Sequence, residues 1–108
     1  MKIKQYSIYW TDLSLTQGAE MNKTRPCVVI SPDEMNQYLK TIIIAPVTNT
    51  SRQGYPTRTY TQSSSISGWI VLDQIIAIDK NRLKEKIGDL TLKESKAVKD
   101  IIKEMLVD

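Results

Sequence analysis

The 108-residue sequence contains no histidine and one cysteine, Cys27. Without histidine, a Ser-His-Asp or Cys-His triad, a HExxH zinc site and an imidazole proton shuttle are all excluded. One cysteine excludes an intramolecular disulfide and a cysteine-rich metal site. No stretch approaches the roughly 20 apolar residues of a membrane span, and the N-terminus has no signal-peptide pattern. These absences predict a cytoplasmic protein that uses no metal and no cofactor.

The composition is that of an ordinary globular protein, with 41% hydrophobic and 25% charged residues. This length predicts one domain over residues 1–108. The net charge of +3 is unevenly distributed, because no acidic residue lies between Glu34 and Asp73, whereas Lys40, Arg52 and Arg58 lie in that stretch. An acid-free basic stretch favours phosphate binding. The alternative is a solvated loop on a mildly basic protein.

The first two thirds of the chain are rich in β-branched and apolar runs, and the last third changes to a helical period. Ser31, Pro32 and Glu34 predict a short helix with Ser31 as its N-cap. Thr91 and Glu94 predict a capping box for the last helix, whose apolar face would include Val98, Ile101, Ile102, Met105 and Leu106. Strands are predicted at Ser7–Leu13, Pro26–Ile30, Thr41–Val47, Thr57–Thr61, Trp69–Leu72 and Ile75–Ile78, the last two being separate or one kinked strand.

This order of elements predicts a mainly β (α+β) fold, a small, strongly bent antiparallel barrel with a C-terminal amphipathic helix. A barrel of this size has little room for a deep pocket. An extended ligand on the surface, or between two subunits, is therefore favoured over a small metabolite inside.

Three polar residues stand where the backbone could display them: Glu20 in the first long loop, Arg25 before Pro26, and Thr48 after an apolar strand. If the strands at Pro26–Ile30 and Ile42–Val47 pair antiparallel, Arg25 and Thr48 reach the same edge of the sheet. Each residue has an ordinary explanation by itself. Together they supply a carboxylate base, a guanidinium for developing phosphate charge and a hydroxyl, the set that RNA strand cleavage needs. Cys27 lies in an apolar run and is predicted to be a small inert hydrophobe.

An ordered series of segments resembles the MazF/PemK (Kid) family of toxin endoribonucleases from type II toxin–antitoxin modules. No single motif is specific, but order and spacing hold from about residue 6 to residue 90. The segments are Ile8–Leu13, Gly18–Glu20, Lys23–Ser31, Ile44–Thr48, Val71–Ile75, Ile78–Lys80, Arg82–Leu83 and Ile87–Gly88.

The resemblance implies an SH3-like barrel, a homodimer, and metal-independent, sequence-selective cleavage of single-stranded mRNA to 2′,3′-cyclic phosphate and 5′-hydroxyl ends. It also implies an antitoxin whose disordered tail blocks the RNA site. By resemblance, Arg25 and Thr48 are the main catalytic pair, and Glu20 is a base or a positioning group. The implied RNA-binding residues are Gly18, Lys23, Asn49, Arg52, Tyr55, Arg58, Asp73 and Gln74.

The sequence departs from the family pattern at three places. Ile76 stands where an Arg or Lys is usual, Ala19 replaces a serine, and Tyr6-Ser7 replaces a usual Gly-Asp. Two other functions stay open. One is a CcdB-like gyrase inhibitor acting through an exposed C-terminus, which the predicted burial of Met105 and Leu106 disfavours. The other is a non-catalytic relative that binds RNA or antitoxin.

Overall fold

The computed structural model describes residues 2–14, 24–49, 55–62 and 65–107. These residues form an antiparallel sheet with two helices, which confirms the predicted mainly β fold with a short internal helix and a C-terminal helix. No helix among them is both long and apolar enough to cross a bilayer. The elements are β1 (Ser7–Asp12), β2 (Thr24–Val29), α1 (Asp33–Tyr38), β3 (Thr41–Thr48), β4 (Arg58–Thr61), β5 (Gly68–Val71), β6 (Ile76–Asp79), β7 (Leu83–Asp89) and α2 (Leu92–Leu106).

Strand β3 lies at the centre of the sheet, whose strand order is β4-β5-β3-β2-β1-β7. β2 pairs with one side of β3, whereas β6 and β5 pair with successive parts of its other side. A 3-10 turn at Leu72–Gln74 separates β5 from β6, so the two apolar runs are two strands. The β-branched run of β3 fits this central position, because both of its faces are largely buried.

Two apolar clusters cover the two faces of the sheet. One contains Tyr9 and Cys27, and the other contains Ile8 and Val28 together with Val98 of α2. Neighbouring residues on β1 and β2 thus belong to different clusters, as strand alternation requires. The predicted burial of the Pro26–Ile30 run on both faces is confirmed at Cys27, Val28 and Val29, which are fully buried.

The structure confirms one of the two helix caps predicted from the sequence. The capping box of α2 is confirmed, since the Thr91 hydroxyl accepts from the Glu94 N–H at 3.1 Å and the Glu94 carboxylate accepts from the Thr91 N–H at 3.0 Å. The predicted Ser31 cap is wrong. Ser31 is buried, its hydroxyl donates to Asn36 and accepts from the Ile43 N–H, and Pro32 caps α1 without a side-chain bond.

Leu106 does not face the core, because it is 63% exposed. It lies about 80° around the helix from Val98, at the margin of the apolar stripe. Val98 and Met105 do pack into the cluster as predicted.

Strand β7 and the backbone of Tyr6 were not anticipated from local pattern. β7 carries the run Lys84-Glu85-Lys86 and pairs with β1 through register shifts, so its charges mark an edge strand rather than a core strand. Tyr6 has a φ of 70°, in the left-handed region that favours glycine. Its ring packs against the core cluster on the α2 side of the sheet.

Candidate active site

Arg25 and Thr48 lie at the same edge of the sheet. Thr11 pairs with Arg25 between β1 and β2, and Cys27 pairs with Pro46 between β2 and β3. Extending the second register by two residues places Arg25 opposite Thr48. Directly opposed residues of antiparallel strands project from the same face. The antiparallel pairing predicted from the sequence is therefore confirmed.

An open cleft of about 390 Å³ lies at this edge. Its walls combine apolar surface with a guanidinium, a hydroxyl and an amide. We call it the edge cleft, and its lining residues are Trp10, Arg25, Pro26, Val47, Thr48, Asn49, Ile66 and Ser67. A shallow, partly apolar surface of this kind suits an extended polar ligand.

Arg25 brings a positive charge to the edge cleft. Among the described residues, no carboxylate forms an ion pair with it. Burial raises the pKa of the neighbouring Cys27 thiol to about 12, although a hydrogen bond with Thr11 and the charge of Arg25 oppose the rise. The thiol is therefore protonated at neutral pH, and Cys27 is fully buried, as expected of a small hydrophobe.

Thr48 is held in place by close packing against β5. It pairs with Trp69, the residue after Gly68. A Cβ atom added to Gly68 would lie 2.7 Å from the Thr48 carbonyl oxygen and 3.0 Å from Val47 Cγ1. Only glycine permits this approach of the two strands, and the last residue of β3 is fixed against β5 as a result.

A second polar cluster lies at the start of β4. The Arg58 guanidinium donates to the Asp73 carboxylate at 3.2 and 3.4 Å, and the Thr57 hydroxyl donates to it at 2.9 Å. The guanidinium carbon of Arg58 also lies 4.8 Å from the centroid of the Tyr55 ring. We call these four residues the Arg58 cluster. By strand spacing and rise, the Cα atom of Arg58 is roughly 12 Å from that of Thr48.

The Arg58 cluster lowers the pKa of Asp73. Partial burial by itself raises this pKa, but the hydrogen bonds from Arg58 and Thr57 and the guanidinium charge outweigh it. Asp73 is therefore ionised at neutral pH and offsets the charge of Arg58.

The structure separates the sequence-predicted site residues into groups. Arg25, Thr48 and Asn49 meet at the edge cleft, whereas Tyr55, Arg58 and Asp73 form the Arg58 cluster, with Gln74 exposed beside Asp73. Four of the predicted residues, Gly18, Glu20, Lys23 and Arg52, lie outside the described residues.

Ile76, which replaces a usual Arg or Lys, has a structural explanation in this chain. It pairs with Ile44 of β3 and packs, partly buried, against the core cluster that contains Cys27. An apolar side chain fits that environment.

Sequence reasoning missed three aromatic residues near Thr48. Trp10 lines the edge cleft and is 38% exposed. Trp69 pairs with Thr48, and Tyr60 pairs with Trp69. The sequence shows these aromatic residues inside predicted strands. Their proximity to Thr48 depends on which strands pair and in which register, which the sequence pattern does not give.

The sequence profile described as "PemK-like, MazF-like toxin of type II toxin-antitoxin system" matches residues 4–106. The chain is 36% identical over 105 residues to the endoribonuclease MazF of Staphylococcus saprophyticus, covering 93% of this chain and 88% of that relative. Its fold is similar to that of MazF from Deinococcus radiodurans in two crystal structures. The structure of MazF has a TM-score of 0.83 and 21% sequence identity, and the match covers 98% of this chain and 97% of that chain. The structure of a MazE–MazF complex has a TM-score of 0.81 and 18% sequence identity, and the match covers 99% of this chain and 97% of that chain.

Proposed function

This chain is an endoribonuclease of the PemK-like, MazF-like toxin family of type II toxin–antitoxin systems, and we propose that it cleaves single-stranded mRNA at the edge cleft with Arg25 and Thr48. The observation that carries the proposal is the meeting of these two side chains at one sheet edge, where Arg25 has no ion-pair partner among the described residues. A guanidinium in this setting is suited to an anionic phosphodiester.

The reaction needs no nucleophile from the protein. The 2′-hydroxyl of the RNA loses its proton and attacks the adjacent phosphorus, a P–O2′ bond forms, and the P–O5′ bond breaks. The leaving O5′ takes up a proton, so the products are a 2′,3′-cyclic phosphate and a 5′-hydroxyl. Arg25 stabilises the charge on the phosphorane, and Thr48 orients the reacting phosphate through its hydroxyl. Glu20 is the proposed base or positioning group.

The remaining parts of the proposal concern assembly. We propose a cytoplasmic homodimer that a cognate antitoxin neutralises by covering the RNA site. The MazE–MazF complex from Deinococcus radiodurans supports an antitoxin as a partner. The RNA-binding roles of Gly18, Lys23, Asn49, Arg52, Tyr55, Arg58, Asp73 and Gln74 belong to the same proposal. Arg58 would contribute less to RNA binding than Arg25, since Asp73 offsets the charge of Arg58.

A CcdB-like gyrase inhibitor and a non-catalytic relative are less well supported. The exposure of Leu106 and Val107 removes the argument that the C-terminus is buried. However, gyrase inhibition would not require Arg25 and Thr48 to meet at one sheet edge. Binding of RNA or antitoxin without cleavage would not require a guanidinium beside a hydroxyl.

The deciding experiment maps RNA ends after brief incubation of purified protein with a mixed single-stranded RNA pool. We expect new 5′-hydroxyl ends at a recurring short sequence, both with and without EDTA. Loss of cleavage in EDTA would contradict the metal-independent mechanism. Binding without new ends would favour the non-catalytic relative, and inhibition of supercoiling without RNA cleavage would favour the gyrase inhibitor.

A further inference from the structure

Thr48 belongs to a row of side chains that crosses four strands. Arg25 lies opposite Thr48 by the extended register, Trp69 pairs with Thr48 on β5, and Tyr60 pairs with Trp69 on β4. We call these four residues the cross-strand row. Because neighbouring strands are about 4.8 Å apart, the two aromatic residues lie one and two strand spacings from Thr48.

The aromatic end of the row faces away from α2. Val47 and Ile70 are buried in the cluster on the α2 side of the sheet. Thr48 and Trp69 are their chain neighbours and so project from the opposite face. Tyr60 is 46% exposed, and its ring centroid lies 5.3 Å from that of Trp69 at an interplanar angle of 72°. This edge-to-face packing orients both rings.

We propose that Trp69 and Tyr60 form a stacking platform for one nucleobase adjacent to the cleaved phosphodiester. This inference rests on the proposed function, because it takes Arg25 and Thr48 as the place where the phosphate binds. Single-stranded RNA is recognised largely by stacking splayed bases on aromatic side chains. The platform lies in the part of the chain that has no acidic residue, from Met35 to Leu72, so no carboxylate of that segment repels the strand.

A nucleobase fits this platform better than a second copy of the chain does. Two aromatic rings offer far less than the roughly 800 Å² per partner that a stable protein interface buries. A single base needs only one oriented ring face, and it would occupy the row directly beside Thr48.

The test compares cleavage kinetics of Tyr60→Leu, Trp69→Leu and Trp69→Phe on a single-stranded RNA that contains the mapped cut site. Tyr38→Leu is the matched control, because Tyr38 is 77% exposed and precedes the opposite end of β3. The two stacking-deficient variants should raise KM roughly tenfold with little change in kcat, since stacking holds substrate and transition state alike. Tyr38→Leu should stay near the wild type, and Trp69→Phe, which keeps an aromatic ring, should raise KM less than Trp69→Leu does. Tyr60→Leu keeps the test valid even if Trp69→Leu unfolds, because Tyr60 is the more exposed ring.

The base is located with a set of RNAs, each carrying one abasic nucleotide near the cut site. In the wild type, removing the base at one position should raise KM by about the same tenfold. In Tyr60→Leu, removing that same base should raise KM little beyond its already raised value. Equal abasic penalties in both proteins, or unchanged KM in the variants, overturn the platform while leaving the proposed function intact. If the Tyr60→Leu protein no longer has the mass of a dimer, Tyr60 and Trp69 form a contact between subunits. That result also overturns the platform. A wild type that cleaves no RNA overturns the proposed function and this inference together.

Discussion

Arg25 and Arg58 both lie on strands of the sheet, yet the fold gives them different electrostatic environments. Arg25 lies near the start of β2, lines the edge cleft and has no ion-pair partner among the described residues. Arg58 begins β4 and is engaged by Asp73 and by the Tyr55 ring. The comparison shows that the position of a cation in the sequence does not decide whether its charge is available to a phosphate. The predictions below test this difference, starting with the largest expected effect.

Arg25→Ala should lower the cleavage rate by roughly 10²–10³-fold, the usual loss on removal of a preorganised group that stabilises developing charge. Arg58→Ala should have a much smaller effect, because Asp73 already offsets that charge. Initial rates on a single-stranded RNA, measured on variants with matched circular dichroism, check both. Similar losses in the two variants would remove the distinction between the arginines, and full activity of Arg25→Ala would contradict the catalytic assignment.

Thr48→Val should lower cleavage by about 10²-fold, because it removes the hydroxyl and keeps the side-chain volume. Thr48→Ser should retain most of the activity. The matched control is Thr57→Val, which removes a hydroxyl that bonds Asp73 in the Arg58 cluster. The same assay compares all three, and an active Thr48→Val would show that the hydroxyl plays no part.

Gly68→Ala should destabilise the fold by about 1–3 kcal/mol, since its new methyl group would overlap the Thr48 carbonyl. The shift of Thr48 should also reduce cleavage at temperatures where the variant is fully folded. Urea unfolding and cleavage assays measure the two effects, with the exposed neighbour Ser67→Ala as a control for stability. A variant of normal stability and activity would mean that β5 moves away from β3 without consequence.

Asp73 should contribute a small, pH-dependent stability. Its pKa is lowered in the folded state, so the contribution is present above the ordinary Asp pKa of about 4 and is lost as the pH falls through the lowered folded value. Because Asp73 is 36% exposed, we expect well under about 1 kcal/mol. The free energy of unfolding of wild type and Asp73→Asn should differ at pH 7 and converge in acid. A difference that grows in acid would contradict the assignment.

The elements with a strong local signal were predictable from the sequence. The β-branched run of β3 and the Thr91–Glu94 capping box depend on near neighbours, and both occur as expected. β7 was missed because its charged run Lys84-Glu85-Lys86 obscures the strand pattern. Ser31 was misassigned because its hydroxyl meets β3 rather than its own helix, a contact that depends on the fold.

The candidate site was predictable in outline but not in its grouping. The antiparallel pairing of two apolar runs was enough to bring Arg25 and Thr48 together. The pairing of Trp69 with Thr48, and of Arg58 with Asp73, could not be inferred, because each depends on which strands are neighbours and in which register.

The sequence by itself determined which chemistry is possible and where most of the strands and helices lie, because composition and short-range pattern are local properties. The lack of histidine left guanidinium, carboxylate and hydroxyl groups for catalysis. The tertiary structure decided which other groups join Arg25 and Thr48 and which stay apart from them. Strand register aligned Arg25, Thr48, Trp69 and Tyr60 in one row, and the contact between β4 and the turn after β5 neutralised Arg58. Those contacts join residues that are distant in the chain, and their free energies exist only once the sheet has formed.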